Sequence, residues 1–425
     1  MRIGVLGAGA MGLTAAYRLA NAGHDVVVME KQELLGGLAA GFPIGQVSLE
    51  RFYHHLFQSD RTIIALIDEL GLSHRMIWAK PNTSMLVGGK AWELNSPATV
   101  LKFAPLPLVD RVRLGAAIAY LKFNRDHHQF EHTTALKWIR RFMGRRVSEV
   151  VWEPQLRSKF DFYHERVSMA WFWARIFCRT PQLGYMRGGF QQFYEQLGSR
   201  IRERGGDIRL STEVTSIASD ETGVRVGTDR GEERFDQVMC TLPTRLFARL
   251  AKGLPSEWLA EYDWGDWLGA HCVILGLDRP LTDVYWLSIN DPGYPYMALV
   301  EHTNFAPMAD YDGLHPIYLG NYLPMSSERY KQSDESIVTD YLPSLKRINP
   351  SFDPSWVKKT WVFKAPFAQP VVTQDYPRHI PPHTTPLPNV YLANMFQVYP
   401  QDRGQNYSVK MAEEVVQTML AQRVE

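Results

Sequence analysis

The amino-acid sequence predicts an α/β protein of two domains, one built round a parallel sheet and one α+β with a mixed sheet and a helical insertion. Three observations predict it. The first forty residues alternate strand, glycine turn, helix and strand. A strand-rich stretch from Trp258 to about Pro386 separates that start from a final strand and helix. The 425 residues also exceed what one hydrophobic core ordinarily gathers. A hydrophobic content of 45%, a charged content of 21% and a net charge of +1 describe an ordinary globular chain. That balance gives no electrostatic footprint for nucleic acid or an acidic partner.

Arg2–Leu6 is an apolar run ending in Gly7, and Gly7, Gly9 and Gly12 spell G-x-G-x-x-G. Ala10 and Met11 lead into a helix over Leu13–Ala22; Asp25–Met29 is a second apolar run, ending in Glu30. This is the dinucleotide-binding βαβ unit of a Rossmann-like domain. Gly7 allows the tight turn, Gly9 lets a pyrophosphate approach the backbone, and Gly12 lets the helix lie close on the sheet. The helix start offers unpaired N–H groups to phosphate. Glu30 stands where an acid takes the ribose hydroxyls. After Lys31–Leu35 comes Gly36-Gly37-Leu38-Ala39. That second diglycine resembles the extended fingerprint of two-domain FAD proteins, which NAD-only Rossmann domains lack. It implies FAD as cofactor, with Lys31, Gly36, Gly37 and Leu38 along it.

The remaining elements follow in order. Glu50-Arg51-Phe52-Tyr53-His54-His55 precedes a helix over Asp60–Leu70, with Asp60 as N-cap and Gly71 as C-cap. Ser84–Val87 and Ala91–Leu94 flank Gly88-Gly89 as a hairpin. Phe103–Leu108 leads into a helix over Val109–Phe123, punctuated by Arg111, Arg113 and Lys122. This stretch reads either as a core helix of a helical subdomain or as a peripheral membrane contact over 103–123. Helices follow over Thr133–Phe142, Met169–Phe177 and Gln191–Arg204. Asp207–Leu210, Glu213–Ile217, Val224–Val226 and Phe235–Pro243 read as strands, the middle two in a small antiparallel sheet. Strands at Ala270–Leu277, Tyr296–Glu301, Ile317–Tyr322 and Lys359–Phe363 surround a helix over Leu342–Ile348. Val390–Asn394 is a last strand, and Tyr407–Gln422 a last helix.

This order resembles the FAD-dependent amine oxidase, protoporphyrinogen oxidase and phytoene desaturase superfamily. Leu156-Arg157-Ser158-Lys159-Phe160 and Gly184-Tyr185-Met186-Arg187-Gly188-Gly189-Phe190 carry a closer resemblance to its bacterial protoporphyrinogen-oxidase-like members. The resemblance implies a discontinuous FAD-binding domain over 1–75, 180–255 and 385–425. A substrate-binding domain then takes 76–179 and 256–384. It implies backbone contacts from Val214 to the adenine, and a final helix, opened by Asn406 and Tyr407, aimed at the flavin. Where the family usually has Gly-Asp, this chain has Ala393-Asn394; Asn394 can bond a hydroxyl but carries no charge. Asp402-Arg403 reads either as an ion pair fixing the loop or as a solvated pair.

For chemistry, flavin oxidation needs a stacked substrate rather than a triad. His54 and His55 are proton-handling candidates or a structural pair holding a loop. Arg157 and Lys159 are candidates for an anionic substrate or the flavin, or a surface pair. Trp171 and Trp173 line a substrate tunnel or belong to the core, and Tyr399 stands beside the ring. The function expected is an FAD-dependent oxidoreductase that oxidises or desaturates a small, largely apolar or amphipathic molecule by hydride transfer to flavin N5. One alternative is a non-redox mutase resembling UDP-galactopyranose mutase; another is a degenerate FAD-binding scaffold. No metal site is expected, since Cys178, Cys240 and Cys272 form no C-x-x-C. A first strand starting at Arg2, three scattered cysteines and no run of about 18 apolar residues imply a cytoplasmic protein, with at most a peripheral contact on the membrane's inner face.

Overall fold

The computed structural model describes residues 1–421. β1 (Arg2–Leu6) turns into α1 (Ala10–Asn21), and β2 (Asp25–Met29) returns parallel to β1, Arg2 opposite Asp25 through Leu6 opposite Met29. Both strands are buried after their first residue, as unbroken apolar runs require. Past the diglycine loop, Gly41–Ile44 pairs with Val47–Glu50. The chain then enters α2 (Arg61–Glu69). Asp60 stands at the start of α2, but its carboxylate accepts the Phe57 N–H at 2.8 Å instead of capping the helix. The cap comes from Asn406, whose Oδ1 accepts the N–H groups of Thr62 and Ile63, both at 3.1 Å.

Thr83–Val87 and Lys90–Glu93 form the hairpin read from Gly88-Gly89, and both glycine N–H groups donate to Asp291 at 2.7 Å. Four helices of eight residues or more follow: α3 (Leu108–Phe123), α4 (Ala135–Phe142), α5 (Glu153–Phe160) and α6 (Met169–Phe177). Thr134 caps α4, so that helix starts later than the Thr133 reading; α6 matches its reading residue for residue. These helices close on their own core of Phe103, Leu114, Leu121, Ile139, Phe160 and Trp171.

α7 (Gln191–Glu203) leads to β3 (Asp207–Arg209); a four-stranded sheet containing Val214–Asp220 and Gly223–Thr228 precedes and flanks β4 (Gln237–Cys240). Trp267–Leu277, His315–Leu323 and Val357–Pro370 then form the centre and edge of a seven-stranded mixed sheet. Its Trp286–Ile289 strand pairs in parallel with Thr83–Val87, so the two insertions share one sheet. The helix read as Leu342–Ile348 is Asp334–Leu345: Ser333 caps it, and Pro343 sits in its last turn.

β5 (Val390–Leu392) and α8 (Gln405–Ala421) complete the fold; Gln422, read as the helix end, lies outside the described residues. The parallel sheet runs β3-β2-β1-β4-β5. α1 packs on both α7 and α8. The carboxyl ends of these strands therefore point to one side, where open α/β sheets bind ligand. Among the described residues no helix is long and apolar enough to cross a membrane.

Candidate cofactor and substrate site

The glycine turn and the diglycine loop meet at this side of the sheet. The Gly36 N–H donates to the Ala8 carbonyl at 2.8 Å, and Gly9 and Gly36 form a parallel bridge. A Cβ on Gly12 would come within 1.9 Å of the Gly7 carbonyl oxygen, so the close approach of α1 to β1 excludes any side chain there. At Gly9 a Cβ would meet only the Gly37 Cα, at 4.0 Å: the space above the turn is open. Nothing caps α1, and no acid stands in its first turn. The N–H groups of Ala10, Met11 and Gly12 are thus left for an anion. That open cradle fits the pyrophosphate of FAD. Leu38, half-buried, lies in the short turn Gly37–Ala39 that floors it.

Glu30 holds the second corner. Its carboxylate accepts the N–H groups of Ala8 and Gln32, each at 2.8 Å, which fixes its oxygens beside the cradle with lone pairs to spare. The Glu30 carbonyl accepts the Thr212 N–H at 2.8 Å, bringing Val214 to the same rim. There Lys31 pairs with Glu213 at 2.7 Å, both exposed.

The Asn394 and Asn406 side chains take different posts from those expected. Asn394 is 2% exposed; its Oδ1 accepts the Phe396 N–H at 2.9 Å and its Nδ2 donates to Thr244 Oγ1 at 3.2 Å. Its amide is used inside the sheet end, because a short turn follows β5 at once and needs a cap. Asn406 is used on α2, as above. The N-terminus of α8 offers backbone N–H groups rather than these side chains. Tyr407 is half-buried beside Cys178, and burial raises its hydroxyl.

The segment after the diglycine loop is tied back to it: the Arg51 N–H donates to the Ala40 carbonyl at 3.0 Å, and the buried Arg51 Nε has no partner among the described residues. His54 Nδ1 donates to the Phe52 carbonyl at 2.5 Å, leaving Nε2 as an acceptor. Burial, then the charge of Arg403, lowers His54 to about 4. Burial, then Arg179, lowers His55 to about 3. Both rings are therefore neutral at physiological pH, and the preamble of α8 stands close to them. His55 Nδ1 reaches the Tyr285 hydroxyl (3.3 Å), which donates to Tyr53 (2.7 Å); Tyr53 reaches His302 (3.3 Å), and His302 reaches Tyr311 (2.6 Å). Sequence gave no signal for this hydrogen-bonded chain, since its members come from distant segments.

Lys159 is buried and its ammonium lies 3.3 Å from Asp402. Asp402 also takes Arg175 (2.5 Å), Trp171 Nε1 (3.2 Å) and Gln369 (3.3 Å). Arg403 bonds Tyr322 (2.5 Å), Gln369 (2.8 Å) and the Ala368 carbonyl. One carboxylate thus serves three cations. Burial, against the Asp402 attraction, brings Lys159 down to about 7, while the cations hold Asp402 well below the usual carboxylate range. Asp402-Arg403 is accordingly a half-buried anchor, not a solvated pair.

A sequence profile of the flavin-containing amine oxidoreductases matches residues 12–400. The chain belongs to that family. Its cofactor is FAD, which the cradle at Gly9 and the Glu30 corner fit. The chain is 21% identical to the 15-cis-phytoene desaturase of Synechococcus elongatus over 442 residues, 92% of this chain and 90% of that one. It is 26% identical over 257 residues to the phytoene desaturase of Fusarium fujikuroi, a match over 51% of this chain that spans only 44% of the fungal protein. Two solved structures share the fold: a protein of Exiguobacterium sp. 255-15 assigned as a protoporphyrinogen oxidase (TM-score 0.79, 18% identity, 99% of both chains), and reduced UDP-galactopyranose mutase (TM-score 0.79, 16% identity, 100% of this chain and 96% of that one).

Within this family fold, two expected site residues fall elsewhere. Arg157 is 63% exposed on α5 and pairs with Glu153 at 3.3 Å; the helix turns it to solvent while Lys159 turns inward. The Tyr399 hydroxyl donates to Glu131 of the helical insertion at 3.1 Å, so it braces that insertion instead of facing a ring. Trp171 and Trp173, 1% and 4% exposed, are core. Two cations missed by the sequence reading replace Arg157. Arg175 reaches Asp402 from the end of α6. Arg179, one turn on, is reached by water yet hemmed in by protein, and its guanidinium has no acidic partner among the described residues.

Proposed function

We propose that the protein is an FAD-dependent oxidoreductase that oxidises or desaturates a small, largely apolar or amphipathic molecule. FAD, held at the Gly9 cradle and by Glu30, would supply the hydride-accepting chemistry toward a substrate carbon. The reading divides the chain into an FAD-binding domain (1–75, 180–255 and 385–425) and a substrate-binding domain (76–179 and 256–384). Support comes from a parallel sheet drawn from the first stretch's strands and the later two. The single observation that carries the reading is the placing of His54 and His55, running on from the diglycine loop, with Arg403 just before α8 near His54 and Arg179 and Arg175 near His55. His55, Tyr53 and Trp286 make an aromatic wall there, with ring centroids 5.8 to 6.2 Å apart. Neutral histidines among aromatics suit an apolar substrate. The Tyr285–Tyr53–His302 chain holds the His55 ring in place beside that wall. Arg179, unpaired, suits an acidic group at one end of the substrate. Three free cysteines suit a reducing cytoplasm.

The test is anaerobic titration of the purified holoprotein with candidate apolar acids and their methyl esters. Bleaching of the flavin by the acid, weaker with the ester, is the expected result. Turnover only after prior reduction, with no net redox change, would match a mutase instead; a colourless protein that cannot be reconstituted with FAD would sink the cofactor reading.

A further inference from the structure

We infer that the outer face of α3 docks on an anionic phospholipid surface. One face of this helix is buried through Leu114, Ala117 and Leu121. The opposite face is apolar as well, and bare. Leu108, Val109, Val112, Tyr120 and Phe123 are exposed there, Val109 at 76% and Phe123 at 84%. Ala116 and Ala119, also exposed, fill the gaps. At helical spacing these seven residues fall in one arc of about 120°. Phe142 and Leu101, each about half exposed, widen the patch: the Arg113 guanidinium donates to the Phe142 carbonyl at 3.0 Å, and Arg111 donates to the Leu101 carbonyl at 2.7 Å.

Charge identifies the occupant. Between Pro97 and Val147 stand ten lysines and arginines and three acids, a net of +7, of which Arg140 and Arg145 are paired with Glu153 and Glu149 just beyond. The whole chain carries +1, so the remainder carries −6. Two copies meeting through α3 would bring two surfaces of excess positive charge together, which argues against self-association. An anionic bilayer matches both halves of the patch: its acyl boundary takes the Val–Phe stripe, and its head groups take the basic rim. The helix lies flat, its stripe too short and one-sided to span. Its far end is fastened to the segment that follows α6. Lys122 donates to the Phe177 carbonyl at 3.2 Å and to the Arg179 carbonyl, at the segment that carries the unpaired guanidinium. The docking proposal goes beyond the redox reading and stands without it.

The experiment is flotation of the yellow holoprotein with phosphatidylcholine vesicles, with and without phosphatidylglycerol. Flotation is expected only with phosphatidylglycerol, and it should fall as salt is raised. Two double variants follow, each checked for bound flavin and circular dichroism. Val112→Glu with Phe123→Glu is expected to abolish flotation. Arg141→Glu with Arg146→Glu, exposed arginines of which the first lies over the Phe142 ring and the second follows four residues after Phe142, is expected to weaken it at least about ten-fold. No flotation with either vesicle overturns the proposal. So does equal flotation with both, or a wild-type dimer that Val112→Glu makes monomeric. Because flavin content and substrate bleaching are measured on the same samples, loss of lipid binding is told apart from loss of chemistry.

Discussion

At Glu50 the fold keeps a carboxyl group where water does not reach. It accepts the Phe190 N–H at 2.6 Å and the Tyr185 hydroxyl at 3.0 Å, yet burial outweighs both bonds and raises it from 4.5 to about 7. A folded value above the unfolded one means the folded state binds the extra proton between them. The associated stability is fully present below 4.5 and is lost as pH rises through about 7. The melting temperature of wild type should therefore drop relative to Glu50→Gln between about pH 5 and about pH 8, by an amount worth at most ~3 kcal/mol. Asp60 and Glu301 are also raised by burial, so the readout is the difference between the two proteins, and parallel profiles would refute it. Asp402 makes the opposite case. Asp402→Asn strands Lys159 and Arg403, both mostly buried, and should cost about 3–5 kcal/mol. Lys159→Met leaves Asp402 with two cations and an apolar stem in place, so a loss near ~1 kcal/mol is expected; Arg175, 41% exposed, is partly screened. Urea denaturation of both variants checks the asymmetry, and equal losses would refute it.

Among elements, the β1–α1 turn separates folding from ligand binding within three residues. Gly9 has extended backbone, φ −76° and ψ −177°, that any residue adopts, and its Cβ direction is open. Gly9→Val should thus fold, with normal circular dichroism, and carry no flavin absorbance. Gly12→Ala should fail to fold, because its Cβ meets the Gly7 carbonyl. A yellow Gly9→Val protein would contradict the phosphate assignment. This turn was legible in the sequence because each of its residues acts on neighbours a few positions away. The start of α2 was not. Asp60 is the local capping residue, but Phe57 claims it, and the cap arrives from Asn406, more than 340 residues on. The helix at Asp334–Leu345 was displaced for a related reason: Pro343 reads as a first-turn residue, while Ser333 sets the true start.

Across the whole molecule, stretches far apart in sequence complete the parallel sheet and the mixed sheet. β1, β2, β3, β4 and β5 join residues 2 to 392 in one layer, and Thr83–Val87 pairs with Trp286–Ile289 in the other. That explains what sequence could not show of the site. The aromatic wall and the cations need Tyr53, Arg175, Arg179, Trp286, Tyr322 and Arg403 together, and no local pattern links them. It also sets an expectation for stability. The sheet that carries the glycine cradle is built from the start, middle and end of the chain, and the mixed sheet is tied to it through Tyr318 on Glu50 and Tyr322 on Arg403. Unfolding should therefore be one transition, and FAD should raise all of it. At a free FAD concentration of about 100 Kd the gain is ~2.7 kcal/mol. An unfolding entropy of ~0.9 kcal/mol per K for a chain of this length turns that into a rise of about 3 °C. Calorimetry of reconstituted protein should show one endotherm moving by that amount, and Gly9→Val should show none of the shift. Two endotherms, with only the lower one moved by FAD, would mean that the mixed sheet folds without regard to the cofactor and that the shared strands do not couple the halves.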